Sequence, residues 1–153
     1  MKIHSTVKRV IEQYQTRDPF DIARQMGIVV FYDPFNKSLR GYYATSDDLQ
    51  AIHINQYLSP EHMRQVCAHE IGHAIMHPLD NTTFIRANTL FMPSKCELEA
   101  NQFMACLLYD IDEVIQQAKN GITISQLATA YDIRPEYMEY VLRSHQSEEN
   151  QCL

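Results

Sequence analysis

Apolar and polar positions along this chain follow two different periods, and the switches between them mark its elements. Residues 5–15 carry apolar side chains at helical spacing and predict an amphipathic helix. Asp18-Pro19 opens a second short helix that ends near Gly27, a natural C-cap. The run from Gly27 to Tyr32 is β-branched and aromatic, is stopped by Asp33-Pro34, and predicts a strand. Residues 39–44 and 51–54 predict two more strands, with Ser46-Asp47-Asp48 turning between them. In the last of these, Ile52 and Ile54 alternate with Ala51 and His53, the pattern of a strand with one buried face.

The helical period returns after Ser59. Ser59 as N-cap and Pro60 at the first helical position start a helix that runs to about His77, where Pro78 forbids continuation. A loop of about fifteen residues reaches Pro93, a length that suggests a substrate-binding or lid segment. Ser94 opens the next helix, which runs to Tyr109. Further helices are predicted at about 111–119, 124–131 and 135–144, and the polar tail after Arg143 is expected to fray. Helix, a few strands, then helices is an α+β arrangement. No repeat or Gly/Ser/Pro-rich linker divides the chain, so 1–153 reads as a single domain. Its core spans about 20–110, with a C-terminal helical extension at about 111–145.

A chain of 153 residues buries a core without disulfide staples. Its 13 basic and 19 acidic residues leave a net charge of −6, which disfavours nucleic acid or an anionic membrane as main partner. The basic, polar start Met1–Arg9 has no signal-peptide stretch, and no run approaches the roughly 18 apolar residues of a membrane span. The cysteines at 67, 96, 106 and 152 form no C-x-x-C pair, and reduced thiols in a cytoplasmic protein are the simplest reading.

Chemistry concentrates at His69-Glu70-Ile71-Gly72-His73. Positions i and i+4 of a helix lie about 40° apart on one face, so both imidazoles can reach one cation while Glu70 projects beside them. This is the H-E-x-x-H pattern, in which the two His bind zinc and the Glu acts as base toward water activated at the metal. The structural alternative is two surface histidines and a solvated Glu. Cys67 and Cys96 are near in sequence but offset from the ligand face by one or two residues, which argues against both as ligands.

A catalytic zinc site usually takes a third protein ligand. Six residues beyond His73 stands Leu79, which cannot serve. His77 lies a further turn along the same helix, where sharing one tetrahedral ion is strained, and it suits the negative end of the helix dipole. Glu97 and Glu99 remain, about 200° apart around the next helix, so only one can face the metal. Glu97 shares its face with Ala100, Asn101, Met104 and Leu108, an inward-pointing stripe, and is favoured, although Ser94-x-x-Glu97 also fits a capping box. Asn101, one turn on, is placed to hydrogen-bond a ligand imidazole.

The segments Gly41-Tyr42-Tyr43, Ile52-His53-Ile54-Asn55, His69–His77 and Glu97-x-x-Ala100-Asn101-x-Phe103, in that order, resemble the ImmA/IrrE family of zincin-like metallopeptidases over roughly residues 39–110. Met104 departs from it, standing where a small Ala commonly follows the Phe. The resemblance implies a small β-sheet packed on the H-E-x-x-H helix. It also implies a gluzincin-type site with His69, His73 and Glu97 as ligands of one Zn²⁺, or another divalent transition metal, Glu70 as base and Asn101 in support. The activity it implies is site-specific endoproteolysis of a helix-turn-helix repressor of a phage or mobile element.

Peptide hydrolysis also favours a second electrophile for the oxyanion, for which Tyr42 or Tyr43 is a candidate. The strand Ala51-Ile52-His53-Ile54 is a candidate edge on which an extended substrate adds by β-augmentation. Two readings compete. Residues 123–143 resemble a helix-turn-helix, which would make the chain a DNA- or protein-binding regulator with a non-catalytic metal site. Glu136 and Glu139 on the would-be recognition helix argue against DNA. A non-peptidase metallohydrolase is the other, since H-E-x-x-H does not specify the bond attacked.

Overall fold

A computed structural model describes residues 3–46, 48–78, 84–85 and 94–149, the side chains at 84, 85, 94 and 145–149 excepted. The order of elements is α1 (Ile3–Tyr14), α2 (Pro19–Gln25), β1 (Ile28–Asp33), β2 (Gly41–Thr45), β3 (Gln50–Asn55), α3 (Pro60–Met76), β4 (Phe84–Ile85), α4 (Ser94–Leu108), α5 (Ile111–Lys119), α6 (Ile124–Ala130) and α7 (Pro135–Glu149). This is the expected α+β arrangement. The helix starts follow their caps. Asp18 accepts from the Phe20 amide, Ser59 from His62, and Asp110 from Asp112 and Glu113, while Thr123 and Gln126 close a capping box. The loop proposed between Pro78 and Pro93 lies outside the described residues apart from Pro78 and the short strand β4, which periodicity does not predict. Ser94, the other half of the proposed capping box with Glu97, has no described side chain.

The sheet order is β1-β3-β2-β4, with β1 parallel to β3 and the other pairs antiparallel. This overturns the expectation that Ala51–Ile54 forms an edge. β3 is interior: Ala51 pairs with Val29 on one side and Ala44 on the other, so its ladder is occupied on both flanks. An added peptide strand would need free N–H and C=O groups, which only an outer strand offers. One face of the sheet, carrying Ile28, Tyr43, Ile52 and Ile54, is buried in the apolar core.

Helix α3 crosses that buried face and α4 packs against α3. The approach is close at two glycines. A Cβ on Gly72 would stand 3.1 Å from the ring of Phe103, itself fully buried, so α3 and α4 meet where a side chain is missing. A Cβ on Gly41 would fall 2.6 Å from the backbone oxygen of His53 and as near to Val66 of α3. We expect Gly41→Ala to lower stability by about 1–3 kcal/mol, the usual cost of overpacking, read as an earlier urea midpoint at unchanged slope. An unshifted midpoint would mean that the strand and α3 are not so closely seated. Gly72→Ala should cost less, because Ala gains about 1 kcal/mol of helix propensity and a ring can tilt.

The C-terminal helices belong to the same core. Leu127, Met138 and Val141 are fully buried with Val114 and α4. Buried Gln65 of α3 donates to the backbone oxygens of Tyr131 (3.3 Å) and Asp132 (3.0 Å), pinning the α6–α7 turn beside the H-E-x-x-H helix. Arg17 donates to the Cys106 and Leu107 carbonyls at the end of α4 and pairs with Asp110 at 2.8 Å, satisfying groups that a helix terminus leaves open. No helix among the described residues is long and apolar enough to cross a membrane.

Candidate metal centre and its groove

Two turns of α3 and the first turn of α4 bring three metal-ligating side chains to one point. His69 and His73 stand at i and i+4, and their Nε2 atoms lie 3.1 Å apart. Glu97 reaches across from α4, with Oε1 3.1 Å from His73 Nε2 and Oε2 3.4 Å from His69 Nε2. Ligand atoms around a tetrahedral zinc ion with bonds of about 2.0–2.1 Å are separated by about 3.3 Å, so these nitrogen and oxygen donors fit that ion. Asn101, one turn beyond Glu97, places Oδ1 3.0 Å from His69 Nδ1. An amide oxygen only accepts, so the Nδ1–H donates to it and the Nε2 lone pair is left for a cation.

The electrostatics of the cluster favour a positive charge at its centre. Burial pushes Glu97 up, but hydrogen bonds and charge from His69 and His73 prevail and hold its carboxyl at about 2. Burial likewise works against charged His69, yet the bond to Glu97 and the nearby Glu70 and Glu97 carboxylates raise its pKa. His73 and Glu70 are buried as well, at 3% and 7% exposure. Such groups are costly inside a core unless partnered, and His73 meets His69 and Glu97 there.

Above this point opens a cavity of about 720 Å³. His69, Glu70, Glu97 and Asn101 line it, with Ser38–Gly41 on one side and Asp132–Pro135 with Tyr137 on another. Met104, buried on α4, also lines it, so this side chain shapes the groove as well as the packing. Sequence reasoning missed His62, which lines the groove and pairs with Asp132 at 2.8 Å. Its signal was available: His62 precedes His69 by two helical turns and shares its face.

The remaining candidates are placed elsewhere. Tyr43 faces the core and donates to Gln50 at 3.0 Å. Tyr42 lies on the opposite face of the sheet, stacked on His53 with ring centroids 4.7 Å apart, and His53 in turn contacts Asp33 at 2.6 Å. Neither tyrosine lines the groove, because adjacent strand residues point to opposite faces and neither face opens there. Glu99 is turned away from His69 and His73, toward His77.

The sequence profile of the IrrE N-terminal-like domain, peptidase family M78, matches residues 23–143. The chain belongs to that family. The match takes in both site helices and the C-terminal helices that wall the groove. A relative, the uncharacterized immunity region protein 2 of Bacillus phage phi105, is 37% identical over 118 residues, spanning 77% of this chain and 74% of the relative. Membership of that family supports a peptidase, and His69, Glu70 and Glu97 line the groove within the matched residues.

Proposed function

We propose that this protein is a zinc-dependent endopeptidase that cuts a helix-turn-helix repressor of a phage or mobile element at one or a few sites. The observation that carries the catalytic part is the convergence of His69, His73 and Glu97 within 3.1–3.4 Å, with His69 and Glu97 lining the same groove as Glu70. A zinc ion held by these three residues supplies Lewis acidity toward a scissile carbonyl and toward water. Asn101 keeps His69 in the tautomer that presents Nε2. Glu70 takes a proton from the attacking water and passes it to the leaving amine nitrogen as the C–N bond breaks, a role worth about 10²–10⁴ in rate.

Two features support the substrate class. The phage relative is designated an immunity region protein. The groove is open and flanked by polar side chains, Arg40 and Arg134 among them, which suits one extended segment of a partner better than bulk degradation. With β3 interior, substrate affinity is assigned to this groove. The test is incubation with the repressor encoded beside this gene and, separately, with casein, followed by mass spectrometry of the fragments. One or a few repressor cuts, absent with Glu70→Gln, are expected. Ready digestion of casein would sink the narrow specificity, and an intact repressor would sink the substrate.

A further inference from the structure

Helices α3 and α4 bring together a second set of metal-ligating side chains beside the first. His77 is the C-cap of α3, and Cys96 and Glu99 stand at i and i+3 near the start of α4. One donor atom from each lies within 4.8 Å of the other two. His77 Nε2 is already 3.4 Å from Glu99 Oε2, a separation that suits a shared ion. The set mirrors the first one. There α3 contributes two donors at i and i+4 and α4 one; here α4 contributes two at i and i+3 and α3 one.

Simpler readings explain two of the three residues. A histidine at a helix C-terminus is favoured by the dipole, and a carboxylate beside it makes an ion pair. Neither accounts for a thiol directed at the same point. Cys67 and Cys106 sit fully in the apolar core, where burial pushes the Cys106 thiol up to about 12, whereas Cys96 is only half-buried. Lys95 also approaches Glu99, at 3.8 Å, but it meets Oε1 and is largely exposed, leaving Oε2 toward His77. Sulfur, nitrogen and oxygen donors together suit a borderline ion such as zinc and disfavour magnesium or calcium, which take oxygen ligands.

We propose that His77, Cys96 and Glu99 bind a second transition-metal ion of the zinc class. It ties the end of α3 to the start of α4. Cys96 immediately precedes Glu97, and the His77 ring lies 5.6 Å from that of His73, so the ion braces both helices that build the first triad. Binding requires Cys96 as a reduced thiolate, so oxidation of that residue releases the ion.

The test uses full-length, reduced, metal-free protein titrated with Co²⁺, together with native mass spectrometry after zinc loading. The first triad offers only nitrogen and oxygen, so a near-ultraviolet thiolate-to-cobalt absorption reports the second set. Wild type should bind about two equivalents and develop that absorption. Cys96→Ser and His77→Ala should each reduce binding to about one equivalent, and Cys96→Ser should abolish the absorption. Two substitutions on different helices keep the test decisive if one disturbs its helix end. The double variant His69→Ala/His73→Ala should retain the absorption while losing the other equivalent, which separates this site from the proposed catalytic one. A single equivalent without sulfur absorption in wild type, or an absorption that survives Cys96→Ser, overturns the proposal.

Discussion

Replacing Glu70 with glutamine is expected to leave bound metal in place and to reduce peptide cleavage by about 10²–10⁴-fold. The two halves of this result come from different parts of the geometry. Metal retention depends on His69, His73 and Glu97, whose donor atoms already meet within 3.1–3.4 Å without any contribution from Glu70. Turnover depends on a group that accepts a proton and later returns it. Glutamine keeps the size and the hydrogen-bonding reach of Glu70 but lacks the basic carboxylate. Glu70 is 7% exposed and lines the groove, so a nearly isosteric side chain should not disturb packing. The check is metal content by mass spectrometry beside the rate of cleavage of the repressor. Full activity of Glu70→Gln would remove Glu70 from the mechanism. Loss of metal in the same variant would instead make it part of the metal's surroundings.

The elements of this fold were legible because the chain marks their starts. Asp18-Pro19 and Ser59-Pro60 are local signals, and each cap accepts an amide in the first turn that follows it. The convergence of His69 and His73 is equally local, since it follows from one helical turn. Strand order is not local. Ile52 and Ile54 tell which face of β3 is buried, but nothing in that alternation says that β1, some twenty residues earlier, returns to lie parallel on its free flank. The misplaced edge came from that gap. The same limit hid the second wall of the groove. Asp132–Pro135 and Tyr137 reach the site because Gln65 and a buried apolar set fasten the α6–α7 turn to α3, and those contacts span more than sixty residues. Tyr42 and Tyr43 show a third limit. Adjacent strand residues point to opposite faces, and only the packed sheet reveals that one stacks on His53 while the other bonds Gln50.

Substituting the three convergent donors should rank their contributions to metal binding. His73→Ala is expected to abolish retention, because it removes one corner of the triangle at its most buried point and leaves two ligands that cannot enclose an ion. His69→Ala should do the same. Glu97→Ala should weaken binding strongly, since it removes the only negative donor and with it the charge that draws a cation between the imidazoles. Asn101→Ala should cost about 10–100-fold, the usual effect of losing a group that orients a ligand. Its Oδ1 lies 3.0 Å from His69 Nδ1, and without it both tautomers become available. Glu99→Ala should leave this site nearly untouched, because Glu99 reaches toward His77 and not toward His69 and His73. Competition with a chromogenic chelator measures the series, with the Cys96→Ser background isolating the first site from the second. If Glu99→Ala cost more than Glu97→Ala in that background, the ligand would be Glu99, and Glu97 would return to capping the start of α4.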